Sequence, residues 1–132
     1  MNSKIYKIDA VEDMNIEFVR DFLRNNSLML NASQEKVSFP ILTRIHRRLK
    51  EGTRFNAILV EGNIIINGHH RFICLSILGL DVEQILWTRN LSATAIICWP
   101  NMIVDECDYD TDEEREDYRN KYDKEKVVRE VE

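Results

Sequence analysis

Apolar positions along the chain change period several times, and each change marks an element. Ile16, Val19, Phe22 and Leu23 recur at helical spacing between residues 15 and 23, with Asn25-Asn26-Ser27 as a stop. Residues 27–37 carry no clear period. A second helix is expected to start at Ser38-Phe39-Pro40, where proline in the first turn lacks only an N–H that the helix leaves unused. Ile41, Leu42, Ile45 and Leu49 form its apolar stripe, Arg44, Arg47, Arg48 and Lys50 a solvated opposite face, and Gly52 its end. Residues 57–60 and 64–66 are two short β-prone runs about Glu61-Gly62-Asn63, which predicts a hairpin. A helix over residues 70–78 turns Phe72, Leu75, Ile77 and Leu78 toward a core and closes at Gly79. Ile5, Tyr6 and Ile8 suggest a first strand, and residues 82–88 and 94–99 two later ones, the last stopped by Pro100. Trp87 and Trp99 fall on these strands and are expected in or near the core.

Composition narrows the class. The chain has 132 residues, of which 44% are hydrophobic and 31% charged, the profile of one globular domain. No apolar run approaches the roughly 20 residues that span a bilayer, and the N-terminal stretch lacks the apolar segment of a signal peptide. A cytoplasmic protein is expected. Cys74, Cys98 and Cys107 are an odd count without CxxC spacing and read as buried, reduced thiols.

The net charge of −5 is unevenly spread. Residues 105–132 hold 13 acidic and 6 basic side chains, whereas residues 1–104 hold 10 acidic and 12 basic. The division is therefore a folded domain over 1–104 and an acidic segment over 105–132. Thr111 and Glu114 fit a capping box, so that segment is either a solvated helix or a partly disordered tail. A body this weakly basic argues against duplex DNA as the partner. It leaves room for a single anionic ligand.

The chemistry concentrates at residues 67–71, Asn-Gly-His-His-Arg, between the hairpin and the following helix. A glycine turn feeding a helix N-terminus presents unpaired backbone N–H groups and the positive end of the helix dipole. With His69, His70 and Arg71 beside it, that arrangement suits a phosphate.

The order helix, Gly52, strand, hairpin, NGHHR, helix, Gly79, strand resembles the ParB/sulfiredoxin superfamily over roughly residues 41–87. The resemblance implies a small α+β domain with a mixed sheet flanked by helices, here carrying the acidic C-terminal helix or tail. In ParB-like partition proteins a GERR motif contacts nucleotide phosphates, and its positions fall on Gly68, His69, His70 and Arg71. Sulfiredoxins place their reactive cysteine where this chain has His69, which excludes that chemistry. In DGHHR free-serine kinases the motif aspartate organises metal-bound nucleotide, and here that position is Asn67, a weaker ligand for Mg²⁺. The loop carrying Arg54 approaches the nucleotide in relatives. The resemblance thus implies ligand contacts from Arg54, Asn67, Gly68, His69, His70 and Arg71, with ATP, ADP or CTP as candidate nucleotides and Mg²⁺ as a candidate companion.

Two functions follow as expectations. One is binding of a nucleotide or other phosphorylated small molecule, extending to phosphoryl transfer or hydrolysis with His70 as the catalytic residue and Glu17, Glu35 or Glu61 as the base. The other is a catalytically silent protein-binding module, such as an immunity or antitoxin-type inhibitor that meets a basic toxin through its acidic tail.

Overall fold

Asn15 accepts a hydrogen bond from the Phe18 N–H (2.9 Å) and so caps the first helix, α1 (Ile16–Asn25), which buries Val19, Phe22 and Leu23. The computed structural model describes residues 14–87 and 95–123. Residues 5–8, expected as a strand, lie outside them. The segment without a clear period contributes β1 (Lys36–Ser38), which runs directly into α2 (Phe39–Lys50) with Ser38 as its cap and Pro40 in its first turn.

The hairpin forms as β2 (Ile58–Glu61) and β3 (Ile64–Asn67), antiparallel around Gly62, whose φ of 62° suits glycine. A register shift falls between Leu59 and Val60, so Leu59 lies opposite Asn67 at the exit of β3. The chain then enters α3 (His69–Leu78), which ends at a left-handed Gly79, and returns as β4 (Gln84–Leu86) parallel to β2. Strand order is β3-β2-β4, and a separate parallel pair joins β1 to β5 (Ile103–Asp105). The molecule is a mixed α and β fold, and no described helix is long and apolar enough to cross a membrane.

The core gathers Val19, Leu42, Ile58, Ile65, Phe72, Ile73 and Ile77 from α1, α2, the hairpin and α3. Each such side chain contributes about 1.5–3 kcal/mol of burial. On α3, Phe72 and Ile77 are buried as expected, together with Ile73 and Cys74, whereas Leu75 and Leu78 are only partly covered.

Three expectations are corrected. Residues 95–99 of the stretch expected as a strand make one isolated bridge, Ile97 to Ala32, before a single 3₁₀ turn (Trp99–Asn101). The buried Trp99 indole donates to the Leu30 carbonyl (2.8 Å) and stacks on Phe72 at 5.7 Å, so the chain bends inward there instead of extending. Cys98, in that bend, is exposed, as is Cys107. Finally, the basic side of α2 is not solvated throughout, because Arg48 is only 3% exposed.

The cause is the acidic segment. Thr111 and Glu114 form their reciprocal capping box at the start of α4 (Asp112–Tyr118), which passes into a wider turn (Arg119–Asp123). Asp108 meets Arg44 through two bonds (2.9 and 2.8 Å), Asp110 reaches the same guanidinium (3.0 Å), and Asp123 meets Arg48 through two more (3.0 and 3.2 Å). Paired forks of this kind are the stronger ion pairs. The acidic segment is therefore tied to α2 through Asp108, Asp110 and Asp123, and 124–132 lie outside the described residues.

Ser38 ties these parts together. Its N–H donates to His70 Nε2 (2.9 Å), and its Oγ donates to the Cys107 carbonyl (2.8 Å). The same Oγ accepts from the N–H groups of Ile41 and Tyr109 (3.4 Å each). Ser38→Ala is expected to lower stability by about 1–3 kcal/mol, the cost of a lost cap plus the lost link to the Cys107 carbonyl. Urea unfolding measures this, and a loss below about 0.5 kcal/mol would contradict the role assigned to Ser38.

Candidate functional site

Residues 67–71 sit where β3 gives way to α3, and the turn is possible because Gly68 adopts φ 112°. A Cβ there would stand 2.7 Å from Arg71 Nη2 and 3.1 Å from Ile58 Cγ1. The Arg71 guanidinium is thus folded back over the bare backbone of Gly68. The N–H groups in the first turn of α3 have no carbonyl partner within the helix.

These residues line a cavity of about 330 Å³, within the range of small-molecule sites. Asn67, Gly68, His69, His70 and Arg71 form its floor, Arg44 and Arg48 reach it from α2, and Asp110, Tyr118 and Tyr122 close it from the C-terminal segment. Arg54 lines a second cavity with Leu49 and Glu83, and its guanidinium donates to the Leu49 and Thr53 carbonyls (3.3 and 2.9 Å). The structure therefore brings together residues 67–71 and separates Arg54 from them. Glu17, Glu35 and Glu61 are not among the lining residues, and the carboxylate that is, Asp110, bonds Arg44.

The three arginines differ in their partners. Arg44 and Arg48 are held by Asp108, Asp110 and Asp123, and Arg44 gives Asp108 a pKa of about 2. Arg71 makes no ion pair among the described residues, and its buried Nε has no hydrogen-bond partner. Burial pulls its pKa below the ordinary guanidinium value, with the phenols of Tyr122 and Tyr118 close enough to oppose the shift. It remains cationic at neutral pH. A half-buried guanidinium whose Nε is out of solvent and unpartnered among the described residues is costly unless an anion reaches it.

The histidines serve the framework. Ser33 N–H donates to His69 Nε2 (2.9 Å) and Ser38 N–H to His70 Nε2 (2.9 Å). Both rings are therefore neutral with the proton on Nδ1. Burial lowers each pKa to about 4, aided at His70 by the Arg71 charge and by repulsion from His69 once that ring is protonated. No family model, curated protein or solved structure matches this chain. Its function is therefore argued from the site itself.

Among the described residues, no three of His, Cys, Asp and Glu converge to hold a metal ion. The oxygen donors lining the cavity are the Asn67 amide and the Asp110 carboxylate engaged by Arg44, with the Gln34 amide and the two tyrosine hydroxyls, a poor cradle for Mg²⁺ by itself.

Sequence reasoning missed Arg44, Arg48, Asp110, Tyr118 and Tyr122 as site residues. Their placement depends on pairing between segments more than sixty residues apart, and no local spacing signals it.

The histidine geometry fixes a pH dependence. Folded pKa values near 4 lie below the unfolded value of about 6.5, so the unfolded chain binds more protons between them. This contribution is whole above about pH 6.5 and is lost as pH falls toward 4, whereas Asp108, with its pKa of about 2, acts at lower pH. Ring resonances of His69 and His70 are expected to titrate near pH 4. Titration of either near 6.5 would contradict the neutral, amide-accepting rings.

Proposed function

We propose that the protein binds a phosphate-bearing small molecule at residues 68–71, as a ParB/sulfiredoxin-like domain. The observation that carries this reading is Arg71, a guanidinium without a carboxylate partner among the described residues, beside the open first turn of α3 in a cavity of suitable size. The path from hairpin through residues 67–71 into a helix supports the superfamily resemblance, and nucleotides such as ATP, ADP and CTP are the ligands that it implies.

The groups present favour binding over chemistry. His70 has committed Nε2 to a backbone amide and has a pKa far below neutrality, so it is a poor proton shuttle and acts by position. Among the described residues no glutamate lines the cavity as a general base, and Asp110 is paired with Arg44. Magnesium that arrives on a polyphosphate keeps most of its water and needs only one or two protein oxygens; Asn67 and Asp110 are those nearest the motif. The inhibitor reading draws on the acidic segment, but Asp108, Asp110 and Asp123 turn inward to this chain's own arginines, which leaves it the exposed acids of α4.

Arg71→Ala is expected to weaken binding of inorganic pyrophosphate by at least about tenfold, near 1.4 kcal/mol. The melting temperature should hold or rise, since the variant removes a half-buried charge without breaking an ion pair among the described residues. Isothermal titration calorimetry measures the binding. Failure of wild-type protein to bind pyrophosphate or any common nucleotide, with and without Mg²⁺, would overturn the proposal.

A further inference from the structure

We propose that Tyr118 and Tyr122 form a stacking wall that makes this site selective for nucleotides over simple phosphates, with the C-terminal segment as one side of the ligand pocket. The inference rests on the anion site proposed above and adds the part of the ligand that site leaves unassigned.

The wall joins the loop after α2 to the C-terminal segment. Phe55 packs edge-on to Tyr122 with ring centroids 4.8 Å apart, and Tyr118 lies 6.3 Å from Tyr122 at an interplanar angle of 32°. All three rings line the cavity that holds residues 67–71. The Arg48 guanidinium and the Lys121 ammonium lie 5.7 and 5.2 Å from the Tyr122 ring centroid, so the ring is held by two cations together with Phe55. Tyr118 is 37% exposed, which leaves ring surface open at the cavity mouth.

Charge holds the wall in place. The links from Asp108 and Asp110 to Arg44, and from Asp123 to Arg48, bracket both tyrosines in sequence and anchor their segment to α2. Alpha-helical propensity alone would not do so, because α4 is seven residues long and buries none of its side chains. The two phenols also lie near enough to Arg71 to act on its charge. A ligand with an anionic end on Arg71 and a planar heterocycle within one short spacer therefore meets both surfaces at once. A nucleoside di- or triphosphate has that shape, and bases stack on aromatic rings with little regard to sequence.

The test compares ADP with inorganic pyrophosphate by calorimetry on the full chain. Wild type is expected to bind ADP at least about fivefold tighter, the lower end of base–aromatic stacking. Tyr118→Ala should remove most of that preference and leave pyrophosphate affinity within about twofold, while Tyr118→Phe retains it. Tyr122→Leu should behave like Tyr118→Ala, and circular dichroism shows whether its packing against Phe55 survives; Tyr118, being more exposed, decides the matter if it does not. Equal wild-type affinities, equal loss of both probes in Tyr118→Ala, or a Phe variant as weak as the Ala variant would overturn the stacking wall. Pyrophosphate binding lost in Arg71→Ala would still uphold the anion site in those cases. Binding of neither probe to wild type would overturn both.

Discussion

One buried serine joins the three parts of the molecule that make the site. Ser38 gives its N–H to His70, caps α2 and bonds the Cys107 carbonyl, so the start of α3, the arginine-bearing helix and the acidic segment share a single node. Its side chain is out of solvent, where each of these hydrogen bonds is electrostatically stronger and each broken one more costly. The paired histidine contacts then follow from one another. With His69 on Ser33 and His70 on Ser38, the first turn of α3 is held from two sides, and Arg71 is left as the residue of the motif free to face a ligand.

Gly68 sets the second constraint. A left-handed residue with no Cβ lets β3 turn directly into α3 and leaves space that the Arg71 guanidinium occupies. Glycine is required here for two reasons at once, conformation and close approach. The acidic segment supplies the opposite pressure: its carboxylates neutralise Arg44 and Arg48 and not Arg71. Among the described residues, Arg71 is left in the cavity as a cation without a carboxylate, beside helix N–H groups and aromatic rings. That asymmetry distinguishes a binding site from an ordinary surface ion-pair network, in which every charge would be matched.

Much of the fold is legible in the amino-acid order because it is local. Helical spacing locates α1 and α2, the Gly62 turn locates the hairpin, and Asn67-Gly68 marks the junction with α3. The Thr111–Glu114 capping box is likewise readable from residue spacing alone. What escapes is non-local. Nothing in the pattern of Arg44 or Arg48 says that Asp108 and Asp123 will cover them, and a basic helix face reads as solvated until its partner is known. The stretch before Pro100 has strand-like composition, yet the indole N–H of Trp99 finds its carbonyl only by bending inward. The ParB/sulfiredoxin resemblance implies a ligand contact from Arg54, whose guanidinium donates to the Leu49 carbonyl at the end of α2 and to the adjacent Thr53 carbonyl.

Arg71 as the anchor of the anion is the central claim. Its buried Nε–H, without a partner among the described residues, gives a resolvable ¹H–¹⁵N signal that is assigned by its disappearance in Arg71→Lys. Addition of inorganic pyrophosphate is predicted to move that signal downfield, together with the backbone amides of His69 and His70, while the Arg48 Nε–H held by Asp123 stays in place. A saturable shift at Arg48 with none at Arg71 would show that the anion enters by displacing the acidic segment, and would contradict the central claim.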